Sequence, residues 1–242
     1  MRRLGAIGHL TDQHREVLKQ LPIRMVQLTK GQEIVPEGKP AASCCLVVDG
    51  LVHRTKVLSS GRRQIFSLHL PGDMPDLHSL HLPSMDHSLV ATTRCEVGLI
   101  PHDAIREILR ASPSLTDLLW RDTLIDAAAF RAWMLMIGQA EVPTRMAHLF
   151  CELFVRSFIV GLTEGWSFPL PVNQVDLADM LGTSAVHANR TLQELRVRNL
   201  IKFESGWVTI PEWQALAEFG LFDSSYLHPM TDRLELTLHS TL

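Results

Sequence analysis

The chain has 242 residues, 46% hydrophobic and 20% charged, with a formal net charge of −3. That balance excludes a disordered chain, leaves room for two modest domains, and gives no general support to nucleic-acid binding. No apolar run approaches the ~20 residues of a membrane span and the N-terminus lacks a signal-peptide pattern, so a cytoplasmic protein with no membrane partner is expected.

Residues 11–21 carry Val17, Leu18 and Leu21 at helical spacing behind a possible Thr11 cap, which predicts a short helix. The stretch 23–101 then reads as β-structure. Runs rich in Val, Ile, Leu and Thr at 23–28, 45–48, 51–57, 64–70, 88–93 and 95–100 alternate with turn signals. Those signals are Lys30-Gly31, Glu37-Gly38, Asp49-Gly50, Ser60-Gly61 and Pro71-Gly72-Asp73. Many short strands at close spacing predict a barrel or jelly-roll-like closure. Cys44, Cys45, Cys95 and Cys151 form no C-x-x-C pair and no disulfide framework. The vicinal pair reads as part of a strand with one inward face, and no redox or metal role is assigned to the thiols.

From 114 to about 138 there is neither proline nor internal glycine, and Pro113 suits a helix start. Leu115, Leu118, Ile125, Ala129, Ala132 and Met136 recur at steps of three, four and seven. Such a helix spans roughly 35 Å, and its ~3.5-residue repeat predicts a seam pairing two copies of the chain. Packing on the chain's own β-structure is the alternative reading. Asp122 and Asp126 interrupt the apolar face. Gly138 and Pro143 break the helix, and a second amphipathic helix at 144–159 turns Met146, Leu149, Leu153 and Phe154 or Val155 inward.

The most informative stretch is 174–196. Leu177, Ala178 and Leu181 form the apolar face of a short helix, Gly182 supplies a tight left-handed turn, and Thr183 or Ser184 caps the next helix. Ala188, Leu192 and Leu195 give that second helix its buried face, and small Ala178 permits a close crossing. Two helices joined by a short turn are the helix-turn-helix plan, whose second helix enters the major groove. Ala185, His187, Asn189 and Arg190 occupy the opposite face. Arg190, Arg196, Arg198 and Lys202 stand against Glu194 alone, a local charge that the acidic whole conceals. Residues 200–203, a Ser205-Gly206 turn and 207–210 read as a hairpin, or wing, ending at Pro211. Candidate contacts to double-stranded DNA are Gln174, Thr183, Ser184, Ala185, His187, Asn189, Arg190, Arg196 and Lys202. The tail 223–242 has weak periodicity and is not placed.

Taken in order, Gly31-Gln32-Glu33-Ile34, Glu37-Gly38, Val48-Asp49-Gly50, Pro71-Gly72-Asp73, the run 91–97 and the helix-turn-helix resemble the Crp/Fnr transcription regulators. The resemblance covers roughly residues 10–220. It implies an α+β fold with a cyclic-nucleotide-binding-like β-roll sensor domain over 1–113 and a dimerisation helix and hinge over 114–142. A winged helix-turn-helix would follow over 143–222, then the tail. It also implies a homodimer on double-stranded DNA, with RNA polymerase as a partner and no catalysis. No G-x-S-x-G, P-loop or G-x-G-x-x-G pattern suggests otherwise.

Departures from the family bear on the effector. Members that bind cyclic AMP hold its phosphate with Arg followed by Ser or Thr, where this chain has Met85-Asp86, and Met74-Pro75-Asp76-Leu77 replaces the Gly-Glu-Leu pattern. A carboxylate repels a cyclic phosphate, so binding of cyclic AMP in the usual way is not expected. Members that sense oxygen use cysteines near the N-terminus, and this chain has none before Cys44. Asp76, His78, Ser79, Met85 and Asp86 are the candidate effector-pocket residues. His69, His78, His81, His87 and His102 cluster here in sequence, and His78-x-x-His81 with Asp76 or Asp86 has the makings of a metal or haem site, although exposed loop histidines are common. No metal or cofactor is assigned; the effector is unknown, and a constitutive regulator with a ligand-free sensor is the alternative. In the reading helix, Ala185-Val186 stands where well-known members place Arg-Glu, so the half-site should differ.

Overall fold

The computed structural model describes residues 1–229; the expectation of an unplaced tail falls mostly on 230–242, outside the described residues. The chain forms two compact units, Met1–Leu124 and the part from Ile125 onward, dividing inside one long helix.

The first unit opens with α1 (Arg2–Ile7) and α2 (Asp12–Lys19). Thr11 caps α2, its hydroxyl accepting from the His14 amide at 3.2 Å. Seven antiparallel strands then make two sheets. β1 (Arg24–Leu28), β7 (Cys95–Pro101) and β3 (Ser43–Asp49) form one; β2 (Glu33–Val35), β6 (Ser88–Ala91), β4 (Val52–Val57) and β5 (Arg63–His69) form the other. Strands that alternate apolar residues bury one face, and here the buried faces meet. Cys45, Val47, Cys95 and Val97 of the first sheet share a core with Val52, Leu89 and Ala91 of the second. The Asp49-Gly50 turn can hold only glycine, because a Cβ there would lie 2.4 Å from the Arg94 carbonyl and φ is +77°. The β-roll that the family resemblance implies is present.

Both vicinal cysteines are buried, contrary to the one-face expectation. Cys45 enters the shared core, while Cys44, on the other face, is covered by the 3₁₀ turn Leu77–Leu80 through Ser79, 3.7 Å from its sulfur. Burial pushes the Cys44 thiol up to about 12, which makes it a poor nucleophile or ligand.

α3 (His102–Ala111) follows β7 directly, and α4 (Pro113–Gln139) runs on from it. Arg3 of α1 is buried between two acids, its Nε 3.0 Å from Asp122 on α4 and 3.7 Å from Asp73 in the Pro71-Gly72-Asp73 turn. Asp122 is therefore an ion-pairing group on an inward face, and its interruption of the apolar stripe has a partner in Arg3.

α4 corrects the expected dimer stripe. Leu115, Leu118, Ile125 and Met136 are buried by their own chain, with Ala129 and Ala132 partly covered. The apolar side chains left facing outward are Trp120 (62% exposed), Leu124, Phe130, Met134 and Leu135 (61%). At 100° per residue this outer set centres about half a turn from the inner one. A helix apolar on both sides leaves its phase open in sequence.

In the second unit, α5 (Val142–Val160) buries Met146, Leu149, Leu153, Phe154 and Val155. β8 (Ser167–Pro169), β10 (Trp207–Thr209) and β9 (Lys202–Glu204) form a small antiparallel sheet in that spatial order. α6 (Gln174–Leu181), α7 (Ala185–Val197) and α8 (Trp213–Phe219) complete the unit. Phe154 touches the rings of Trp166, Phe168 and Trp213, tying sheet and α8 to α5. Buried Glu152 accepts from Trp133 Nε1 at 2.8 Å and Tyr226 Oη at 2.7 Å, and Arg156 neutralises it at 3.1 Å. Among the described residues no helix is long and apolar enough to cross a membrane.

Candidate nucleic-acid interface

α6 and α7 are built by their ends. Asn173 caps α6, its side chain accepting from the Asp176 amide at 2.7 Å. Gly182 closes it at φ 62°, ψ 41°, the left-handed conformation that a side chain resists. Ser184, not Thr183, caps α7, accepting from the His187 amide at 3.2 Å. That places a helix N-terminus, with its unpaired amides and positive dipole end, at the surface where a phosphate is best received.

α7 has two faces. Ala188, Thr191, Leu192 and Leu195 are buried, and Ala178 on α6 is buried beneath the crossing. Val186 (65% exposed), His187 and Arg190 face outward, with Ala185 and Asn189 at the edges. Among the described residues, Arg190 and Asn189 make no side-chain hydrogen bond or ion pair, so their donors remain available. His187 is lightly held by the Thr183 hydroxyl at 3.3 Å from Nδ1. Gln174 at the start of α6 and Lys202 on β9 are also exposed.

Arg196 does not fit the expected contact set. Its guanidinium donates to the Phe203 carbonyl, so it fastens α7 to the wing strand β9. Arg198 pairs with Glu194 at 2.8 Å and lies over the Phe219 ring. The local charge read from the sequence thus divides: among the described residues Arg190 and Lys202 face outward uncommitted, whereas Arg196 and Arg198 serve the fold. Ser184 likewise spends its hydroxyl on the cap.

The five effector-pocket candidates separate in the same manner. Asp76 is fully buried, Oδ1 accepting from the Cys45 amide at 2.6 Å while Oδ2 has no hydrogen-bond partner among the described residues. Burial raises its carboxyl to about 7, against the Cys45 amide and the Arg54 guanidinium, which pull it down. Ser79 is buried between Cys44 and His102, 2.9 Å from His102 Nε2. Met85 is buried, and its backbone pairs with Gly38 and Lys39. These three are structural, and nothing in them presents a donor to a phosphate. Asp86 and His78 remain, and the structure adds His87 to them, with His87 Nδ1 2.9 Å from Asp86 Oδ1. His81 and Asp76 are not part of this group, contrary to the expected His78–His81 pairing.

Comparison with known proteins agrees with this layout. Residues 25–112 match the cyclic nucleotide-binding domain family, and 144–219 the Crp-like helix-turn-helix domain family. The nitrogen fixation regulation protein FixK of Rhizobium meliloti is 30% identical over 175 residues, covering 71% of this chain and 74% of that one. The transcriptional activator FnrL of Cereibacter sphaeroides is 26% identical, covering 72% and 71%. The solved structure of FixK2 from Bradyrhizobium japonicum superposes with a TM-score of 0.75 at 26% identity, covering 82% of this chain and 98% of that one.

Proposed function

The chain belongs to the Crp/Fnr family of transcription regulators, and from that premise we propose how this member reads DNA and pairs. α7 is the recognition helix. The observation that carries this is the outward face bearing Val186, His187, Asn189 and Arg190, on a helix whose other side is anchored in the core. Arg190 donates to guanine or phosphate, Asn189 has the donor–acceptor pair suited to adenine, and Val186 and Ala185 offer methyl groups to thymine. Gln174 and Thr183, beside the α7 N-terminus, and Lys202 on the wing supply backbone contacts that fix register without reading sequence.

Two copies pair along the outer stripe of α4, through Trp120, Leu124, Phe130, Met134 and Leu135. Trp120, Leu124, Ala127, Arg131, Met134 and Gly138 follow the alternating four–three spacing that a two-helix seam needs, with Arg131 as its polar interruption. The dimer then offers two α7 helices to successive major grooves about 34 Å apart. RNA polymerase is the partner that converts occupancy into regulation. The β-roll is the sensor, and its ligand is not cyclic AMP held through a phosphate-binding Arg, because Met85 is core and Asp86 is acidic.

Fluorescence-anisotropy titration of operator DNA tests the reading. Arg190→Ala should weaken specific binding about ten- to a hundredfold with the fold intact. Unchanged affinity would refute the assignment of α7.

A further inference from the structure

Two imidazoles and a carboxylate converge on one side of the β-roll. His78 lies in the 3₁₀ turn Leu77–Leu80, and Asp86 and His87 immediately precede β6. One ring nitrogen of each histidine and one Asp86 oxygen all lie within 4.8 Å of one another. The two ring centroids are 5.3 Å apart with the planes tilted at 44° and not stacked.

The three groups differ in mobility. His87 is buried, with Phe66 edge-on at 5.6 Å, and so provides a fixed position. The Asp86 side chain is 72% exposed and His78 is half-buried, so both can adjust. A tetrahedral ion with bonds of about 2.1 Å needs ligand atoms roughly 3.4 Å apart. Closing from 4.8 Å asks for shifts on the order of an ångström, which an exposed aspartate and a 3₁₀-turn histidine can make by changing rotamer.

We propose that His78, Asp86 and His87 bind one divalent first-row transition-metal ion, with its remaining position open to solvent or a small ligand. Imidazole selects zinc, iron, cobalt or nickel over magnesium and calcium, and a single carboxylate is too few oxygens for the hard cations. The thiols are not among the converging ligand atoms, and all four cysteines are buried. The inference stands independently of how α7 reads DNA.

Full-length protein, freed of metal by a chelator, is titrated with Co²⁺, followed by its visible ligand-field absorption, and then with Zn²⁺ in competition. One equivalent per chain should bind, and His78→Ala and Asp86→Asn should each weaken it at least about tenfold. His81→Ala, an exposed neighbour in the same loop, should bind as the parent does. His87→Ala removes a buried ring, so the two peripheral variants, checked by circular dichroism, carry the test. Absence of a saturable equivalent in the parent protein overturns the proposal, as does parent-like affinity in both His78→Ala and Asp86→Asn.

Discussion

Asp76 couples the stability of the β-roll to pH, because folding buries its carboxyl. In sequence it stands after Gly-Asp, where a ligand-binding acid is expected; in the fold it is a fully buried carboxyl whose Oδ2 lacks a hydrogen bond. Its proton affinity rises from the ordinary 3.8 to about 7, chiefly by burial. The folded state therefore holds a proton that the unfolded chain has released. That contribution to stability is complete below about pH 4 and is lost as the pH rises through 7, with a slope of up to about 1.4 kcal/mol per pH unit. Asp76→Asn keeps an oxygen for the Cys45 amide and removes the titration. The difference in stability between variant and parent, from urea melts at pH 5 and pH 8, should move in the variant's favour at the higher pH. A difference independent of pH would show that Asp76 does not carry the proton.

At the scale of elements, α4 shows what periodicity can and cannot deliver. Its length, its start at Pro113 and its end near Gly138 were legible, because proline, glycine and a long glycine-free run are local signals. Which apolar face turns outward was not, because both faces are apolar and only the neighbours decide. α1 and α3 are illegible for a different reason: neither has a side-chain cap at its N-terminus, so nothing local announces them. The two faces of α4 respond to different substitutions. Trp120→Glu with Leu135→Glu should leave the chain folded and convert a dimer to a monomer in sedimentation equilibrium. Leu115→Ala, in the buried set, should leave pairing intact and cost about 2–5 kcal/mol of stability. A monomer from the second variant and not from the first would reverse the assignment of faces. Arg3→Met tests the link between α1, Asp73 and Asp122: two buried acids lose a counter-charge, and stability should fall by about 3 kcal/mol or more. A melting temperature equal to the parent's would show that the ion pairs are incidental.

For the whole molecule, the β-roll and the winged helix-turn-helix were legible because both are written in spaced turns and caps: Asp49-Gly50, Pro71-Gly72-Asp73, Gly182 and Ser184. The roles of individual charges were not, since Arg190 and Arg196 lie on the same short helix and only the Phe203 carbonyl on the wing strand, which Arg196 alone reaches, tells them apart. An outward α7 and a two-fold pairing through α4, as proposed, together dictate the symmetry of the DNA. The measurement that tests this most directly is selection from a random duplex library with parent protein and Arg190→Ala in parallel. The parent should enrich a two-fold symmetric sequence with half-site centres about 10 base pairs apart, and a half-turn insertion between them should abolish binding. Arg190→Ala should lose the enrichment. An unsymmetric sequence, or the same one selected as strongly by the variant, would contradict the account.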